Sequence, residues 1–290
     1  MKPMSNPVHH TEWGRQDHPQ IHAVTPNALQ IRGVKHAYGS KTILKELSFH
    51  VKSGEWVGII GPNGSGKSTL LSLLSRAERL QSGHIEVYDK PIASYKRKEL
   101  SQLMAVLQQE ALPSLPFTVR EIVEMGRFPH QSWFGSEKTD STKLVDDIMR
   151  RLELTELSEQ PLEQLSGGQR QRAALGKLMA QSPSLVLLDE PTTYLDIHHQ
   201  VQFMDVISEW QQDCGLTVVS VLHDLNLAAL YCDRMIVLHQ GHLVADGAPE
   251  EIMSTKILSE VFETRTVIVP HPEVEKPQVL VCTDKYSKNR

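Results

Sequence analysis

A short apolar run, Trp56-Val57-Gly58-Ile59-Ile60, opens directly into Gly61-Pro62-Asn63-Gly64-Ser65-Gly66-Lys67-Ser68-Thr69, and a helical pattern extends from Lys67 to about Arg79. A strand that is apolar at nearly every position has both faces covered, which places it inside a parallel sheet. The residues after it fit the phosphate-loop pattern, in the strand-loop-helix setting that the pattern requires. Glycine is needed because several backbone amides must point at one phosphate chain, where a Cβ would block the approach or φ must be positive. Lys67 adds a point charge for the β- and γ-phosphates, and the Ser68 hydroxyl is placed to ligate Mg²⁺. The helix start behind them favours the anion further. The loop predicts an NTPase without saying which kind.

The buried-strand pattern recurs at Met104–Leu107, Leu185–Leu188, Leu216–Leu222 and Met235–Leu238, with helical stretches between several of them. That succession predicts an α/β fold with a mainly parallel core sheet. Ahead of it, apolar and polar residues alternate from Ala28 to Val51 around a turn at Tyr38-Gly39-Ser40, predicting an antiparallel N-terminal β-subdomain. Between about 111 and 165 the strand pattern stops. There Thr118-Val119-Arg120-Glu121 forms a capping-box pattern before Ile122 and Val123, predicting an inserted helical subdomain. Thr266–Val269 and Gln278–Cys282 flank Pro270-His271-Pro272 and predict a small C-terminal extension over 265–290. The main domain is expected over 28–264, after a disordered leader at 1–27. His9, His10, His18 and His22 in that leader are irregularly spaced, with no cysteine or carboxylate cluster, and predict no metal site.

Composition narrows the field. A formal net charge of −5 lacks the basic excess of a nucleic-acid binder, so no nucleic-acid partner is expected. The three cysteines, Cys214, Cys232 and Cys282, show no metal-ligand spacing and argue against a secreted disulfide framework. No run reaches the ~18 consecutive apolar residues that a membrane span needs, so the chain is not expected to cross a bilayer alone. Its first residues carry no secretory apolar core.

Two further groups concern the NTPase. Leu185-Val186-Leu187-Leu188-Asp189-Glu190 places two acids at the end of a buried strand, where they need a cation or hydrogen-bond donors. Asp189 is expected to support Mg²⁺, and Glu190 to orient and deprotonate the attacking water. Leu165-Ser166-Gly167-Gly168-Gln169 precedes a helical stretch bearing Arg170 and Arg172, so its amides form a second helix start able to meet phosphate. One nucleotide does not need two cradles from one chain. A two-fold homodimer is therefore expected, with Ser166 and Gly168 of one copy closing on the nucleotide held by the other.

With these groups in order, the chain from about Leu29 to Thr264 resembles an ABC-type ATPase. The resemblance implies that ATP is the nucleotide and that Tyr38 stacks on adenine. It implies that Gln109, with Gln108 beside it, senses Mg²⁺ and faces the membrane partner. Leu195-Asp196 would link the two sites of the dimer, and His223 would contact the γ-phosphate. Lys67 and Ser166 stand only about a hundred residues apart, which leaves no room for the coiled coil of the chromosome-maintenance ATPases, and one cassette is present where the ribosome-acting type has two. Three words resemble the importer group for iron chelates, haem and cobalamin: Met125-Gly126-Arg127-Phe128-Pro129-His130, Thr193-Tyr194-Leu195-Asp196, and the run from His223-Asp224-Leu225-Asn226 to Tyr231. The resemblance implies a peripheral ATPase on the cytoplasmic face of the membrane, bound to permease subunits and served indirectly by an extracytoplasmic substrate-binding protein. Iron-siderophore cargo is expected; cobalamin or haem import, or a permease-free scaffold, are the alternatives.

Overall fold

Strands β1 (Asn27–Tyr38), β2 (Lys41–Lys52) and β3 (Trp56–Ile60) lead into helix α1 (Lys67–Leu74), followed by β4 (Ser82–Val87), β5 (Lys90–Pro91), α2 (Arg97–Leu103) and β6 (Met104–Leu107). Helices α3 (Val119–Met125), α4 (Thr142–Arg151) and α5 (Gly167–Ala180) come next. The chain continues through β7 (Leu185–Asp189), α6 (Ile197–Cys214), β8 (Thr217–Val221), α7 (Leu225–Tyr231), β9 (Arg234–His239) and β10 (His242–Gly247). It closes with α8 (Pro249–Ile252), α9 (Thr255–Phe262), β11 (Thr266–Pro270) and β12 (Pro277–Val281). This computed structural model describes residues 25–109, 112, 116–131, 141–193 and 195–283. The leader histidines and Tyr194 lie outside the described residues.

The core sheet runs β10-β9-β3-β8-β7-β6, parallel throughout except for the β9–β10 hairpin at one edge. Its strands are apolar on both faces because both are covered. Trp56, Ile60, Val186, Leu188 and Val218 face an apolar cluster shared with α3 to α9. Val57, Ile59, Leu185, Leu187, Val219 and Val221 face the other way, onto α1 and the antiparallel sheet β2-β1-β4-β5. Helix α1 is thus clasped between two sheets by Leu70, Leu73 and Leu74, each buried and each contributing roughly 1.5–3 kcal/mol relative to exposure.

Three local expectations need correction. The N-terminal sheet has four strands where alternation marked two, because β4 pairs with β1 from Leu29↔Val87 to Lys35↔Ser82 and β5 extends it. Strand β10 was also not evident in the sequence. Helix α1 stops at Leu74, short of Arg79, since Arg76 takes a left-handed φ of 59° and its guanidinium donates to the Tyr95 carbonyl at 2.7 Å.

The region around α3 begins as its capping box predicts: Thr118 accepts from the Glu121 amide, and Glu121 accepts from that of Thr118. Helices α3 and α4 pack on α5, so the helical packing continues past residue 165. The word Met125–His130 is a mounting bracket for this packing. Arg127 is buried and donates to Ala180 O at 2.8 Å and Ser182 Oγ at 3.0 Å, while His130 Nε2 donates to Gln181 O at 2.8 Å. A Cβ on Gly126 would stand 2.1 Å from the Lys177 carbonyl oxygen. Gly126→Ala is expected to destabilise the chain by about 1–3 kcal/mol, the usual cost of overpacking, seen as a lower denaturation midpoint with little change in slope. Among the described residues, no helix is long and apolar enough to cross a membrane.

Candidate functional site

The site lies where β3, β6, β7 and β8 end, the side of a parallel sheet on which open α/β folds bind ligands. The loop after β3 carries Gly61 to Gly66, and α1 begins at Lys67. At Gly66, the N-cap, φ is 105° and a Cβ would stand 2.5 Å from Leu44 Cδ2, so only glycine lets β2 close under the loop. The first intrahelical donor is the Leu70 amide, which meets Gly66 O at 2.9 Å. The amides of Lys67, Ser68 and Thr69 therefore have no carbonyl in their own helix to meet. Ser65 Oγ is buried without a hydrogen-bond partner, beside exposed Asn63 and Gly64. Lys67 is buried as well. Its Nζ donates to Gly61 O at 2.8 Å and Pro62 O at 3.0 Å, and burial pulls its pKa down against the pull of Glu190 and Asp189. Spare amides, an orphaned hydroxyl and a cation at a helix start make a donor set that fits a polyphosphate.

Opposite the loop, β7 delivers Asp189 and Glu190. Ser68 Oγ donates to Asp189 Oδ1 at 3.5 Å. Burial first, and then the Glu190 charge, raise the Asp189 pKa. A hydroxyl and a desolvated carboxylate at the phosphate loop are hard oxygen donors, which fits Mg²⁺. Glu190 has a left-handed φ of 49°, costly for a residue with a Cβ, and its amide donates to Val221 O at 3.1 Å. The kink gathers three donors on one carboxylate. Gln109 Nε2 meets Oε2 at 2.9 Å, Thr193 Oγ1 meets the same oxygen at 3.3 Å, and His223 Nε2 meets Oε1 at 2.5 Å.

The remaining expected residues sit apart from this cluster. Ser166 caps α5, accepting from the Gln169 amide at 3.3 Å while its own amide donates to Gln169 Oε1 at 2.9 Å. Gly167 and Gly168 form the first turn, with Gly168 against the His199 ring. Asp196 caps α6 and accepts from the His199 amide at 2.9 Å and from Nδ1 of that ring at 2.8 Å. Among the described residues no hydrogen bond joins Ser166, Gly167, Gly168 or Gln169 to the phosphate loop. Tyr38 is half-exposed at the end of β1, edge-on to His36 at 4.8 Å, over an open hollow shared with Arg79 and Gln81.

A family model described as ABC transporter matches residues 44–193, which include the phosphate loop, the α5 cap and the carboxylate pair. This chain belongs to the ABC transporter family. It is an ABC ATPase, and it binds ATP. It is 38% identical to the ferric enterobactin transport ATP-binding protein of Escherichia coli (strain K12) over 89% of this chain and 96% of that protein. It is 39% identical to a hemin import ATP-binding protein of Thermobifida fusca (strain YX) over 87% of this chain and 88% of that one. The fold matches a solved inward-facing ABC transporter assigned to the metal-chelate type, with a TM-score of 0.77, 26% identity, and 90% of this chain and 99% of that chain covered.

Within this ABC ATPase, spacing could not foresee the Thr193 hydroxyl on Glu190 or the His199 ring under Gly168: Thr193 stands in a word that resembles the importer group but carries no contact in its spacing, and His199 stands in none. The amide that reaches Glu190 is that of Gln109, where the sequence left Gln108 beside it. The raised Asp189 pKa also has a consequence for the chain alone. A carboxyl whose folded pKa is raised loses stability as pH climbs through that value, because ionisation in place is unfavourable. Asp189→Asn removes that charge. The variant is expected to melt higher than the parent without nucleotide, by about 2–4 °C per kcal/mol relieved, with a gap that opens as pH rises from the ordinary carboxylate range through the raised folded pKa and is constant above it. Calorimetry from the acid range upward checks it; a gap that is the same at acid and neutral pH, or reversed, contradicts it.

Proposed function

We propose that this ABC ATPase energises an importer of iron-siderophore complexes, working as a homodimer on the cytoplasmic face of the membrane beneath permease subunits, which an extracytoplasmic substrate-binding protein supplies. The observation that carries the mechanism is the division of the site. Lys67, Ser68, Asp189, Glu190, Gln109 and His223 gather around the phosphate loop, whereas among the described residues the second helix start, at Ser166 to Gln169, makes no hydrogen bond to it. Two copies related by a two-fold axis would bring each α5 start to the partner's loop.

The backbone amides of 61–69 and the Lys67 ammonium bind the phosphates, and Tyr38 offers its ring to the base. Ser68 and Asp189, with Gln109, would hold Mg²⁺, which when bound offsets phosphate charge. Glu190 takes a proton from the attacking water, and Gln109, Thr193 and His223 hold its carboxylate in place. Ser166 and Gly168 of the second copy close the site, Asp196 lies at the dimer seam, and reopening after hydrolysis becomes the motion handed to the permease. In this arrangement residues 28–264 are the ATPase domain, and 265–290 are a small C-terminal extension of it.

The cargo rests on similarity to the enterobactin relative, and the similar match to the hemin relative supports haem as the second candidate. Uptake of ⁵⁵Fe-labelled siderophore and of labelled haem in cells lacking the chain tests this. Loss of siderophore uptake, restored by the wild type and not by Glu190→Gln, is expected. Loss of haem uptake alone would move the assignment to haem. Purification from detergent without any multi-span subunit would favour a scaffold.

A further inference from the structure

We infer that Asn226 is a positioning residue for His223, and that the C-terminal hairpin is the anchor it grips. This rests on the proposed part of His223 in hydrolysis. His223 leaves β8 immediately before α7. Asp224 caps that helix, its Oδ1 accepting from the Asn226 amide at 2.8 Å and the Leu227 amide at 3.0 Å. Helix α7 has only seven residues, too few to hold a direction by its own hydrogen bonds, so its partners set its axis. Its last residue is tied down: Tyr231 donates to Asp205 at 2.7 Å and packs its ring near Trp56.

The first turn is tied by Asn226. Its Oδ1 accepts from the Val279 amide at 2.7 Å, and its Nδ2 donates to the Val279 carbonyl at 3.3 Å. A carboxamide offers one acceptor and one donor side by side, as a peptide group does. Asn226 thus serves as one residue of a third strand against β12, which among the described residues otherwise pairs only with β11. The join is well founded. Val279 is buried in the main apolar cluster opposite Ile268, and Lys276 reaches Glu250 of α8 at 3.2 Å. A residue 53 positions away therefore fixes the turn that presents His223 to Glu190. This gives the word His223-Asp224-Leu225-Asn226 a physical content that its sequence alone lacks, and it makes the hairpin part of the engine.

The test measures kcat and KM for ATP, with thermal unfolding, in the full-length chain carrying Asn226→Ala, Val279→Pro (which removes the donating amide), both together, and each with His223→Ala. Asn226→Ala and Val279→Pro are each expected to lower kcat about tenfold, the scale of one or two lost hydrogen bonds, with KM nearly unchanged. The double variant is expected to fall no further than either single one. With His223→Ala present, Asn226→Ala is expected to cost nothing more. Asn226→Asp sets a second acceptor oxygen against the Val279 carbonyl in place of the donor, and its kcat is expected to fall at least as far as that of the alanine variant even if Val279→Pro fails to fold. Wild-type kcat per folded chain in Asn226→Ala, or a full additional loss in the His223→Ala background, overturns the inference. Wild-type turnover in His223→Ala alone removes the underlying role of His223 as well, and so separates the two failures.

Discussion

Glu190→Gln is expected to lower ATP turnover by about 10²–10⁴-fold, the range of a lost general base, while ATP binding stays within a few-fold of wild type. Glutamine has nearly the same shape, and its amide oxygen can still accept from Gln109 and Thr193, which hold the glutamate at 2.9 and 3.3 Å. The left-handed turn at residue 190 and the hydrogen bond that its amide donates to the Val221 carbonyl belong to the backbone and survive the change. What disappears is the basic oxygen. On the proposed mechanism the two copies then close on ATP and stay closed, so the variant elutes as a dimer with nucleotide inside. Single-turnover kinetics beside gel filtration check both halves, and hydrolysis at the wild-type rate would remove Glu190 from the role of base.

Lys67→Ala is expected to weaken ATP binding by about 30-fold or more, since truncating a buried, hydrogen-bonded charge costs about 2–5 kcal/mol and each 1.4 kcal/mol is tenfold. The ammonium is held by the Gly61 and Pro62 carbonyls of its own loop, so it is oriented before a ligand arrives. The substitution also leaves those carbonyls without their donor, which makes a melting curve a necessary companion to titration calorimetry. A folded variant that binds ATP as tightly as its parent would contradict the assignment of Lys67 to the phosphates.

Much of this was legible in the sequence wherever chemistry and local structure coincide. The strand ending at Ile60, the loop to Gly66, the capping box at Thr118, the helix start after Ser166, and the acids after Leu188 each rest on contacts a few residues apart. Pairings made across the chain were not legible. Strand β4 finds β1 only through a register set by the whole sheet, and Gly126 shows its need for glycine only once Lys177 passes over it. The sequence left Gln108 and Gln109 side by side because choosing between them needs the position of Glu190, 81 residues further on. The C-terminal strands were predicted, but as an extension; that they grip α7 through Asn226 is a tertiary fact. In each case the deciding partner is far away in sequence, where periodicity and caps carry no information.

The central claim is that one chain carries half of each of two sites. ATPase activity per chain, measured over a dilution series in which mass photometry counts monomers and dimers, tests it most directly. Activity is expected to follow the dimer fraction and to vanish as the chain becomes monomeric. A purely monomeric sample that hydrolyses ATP at the full rate would contradict it.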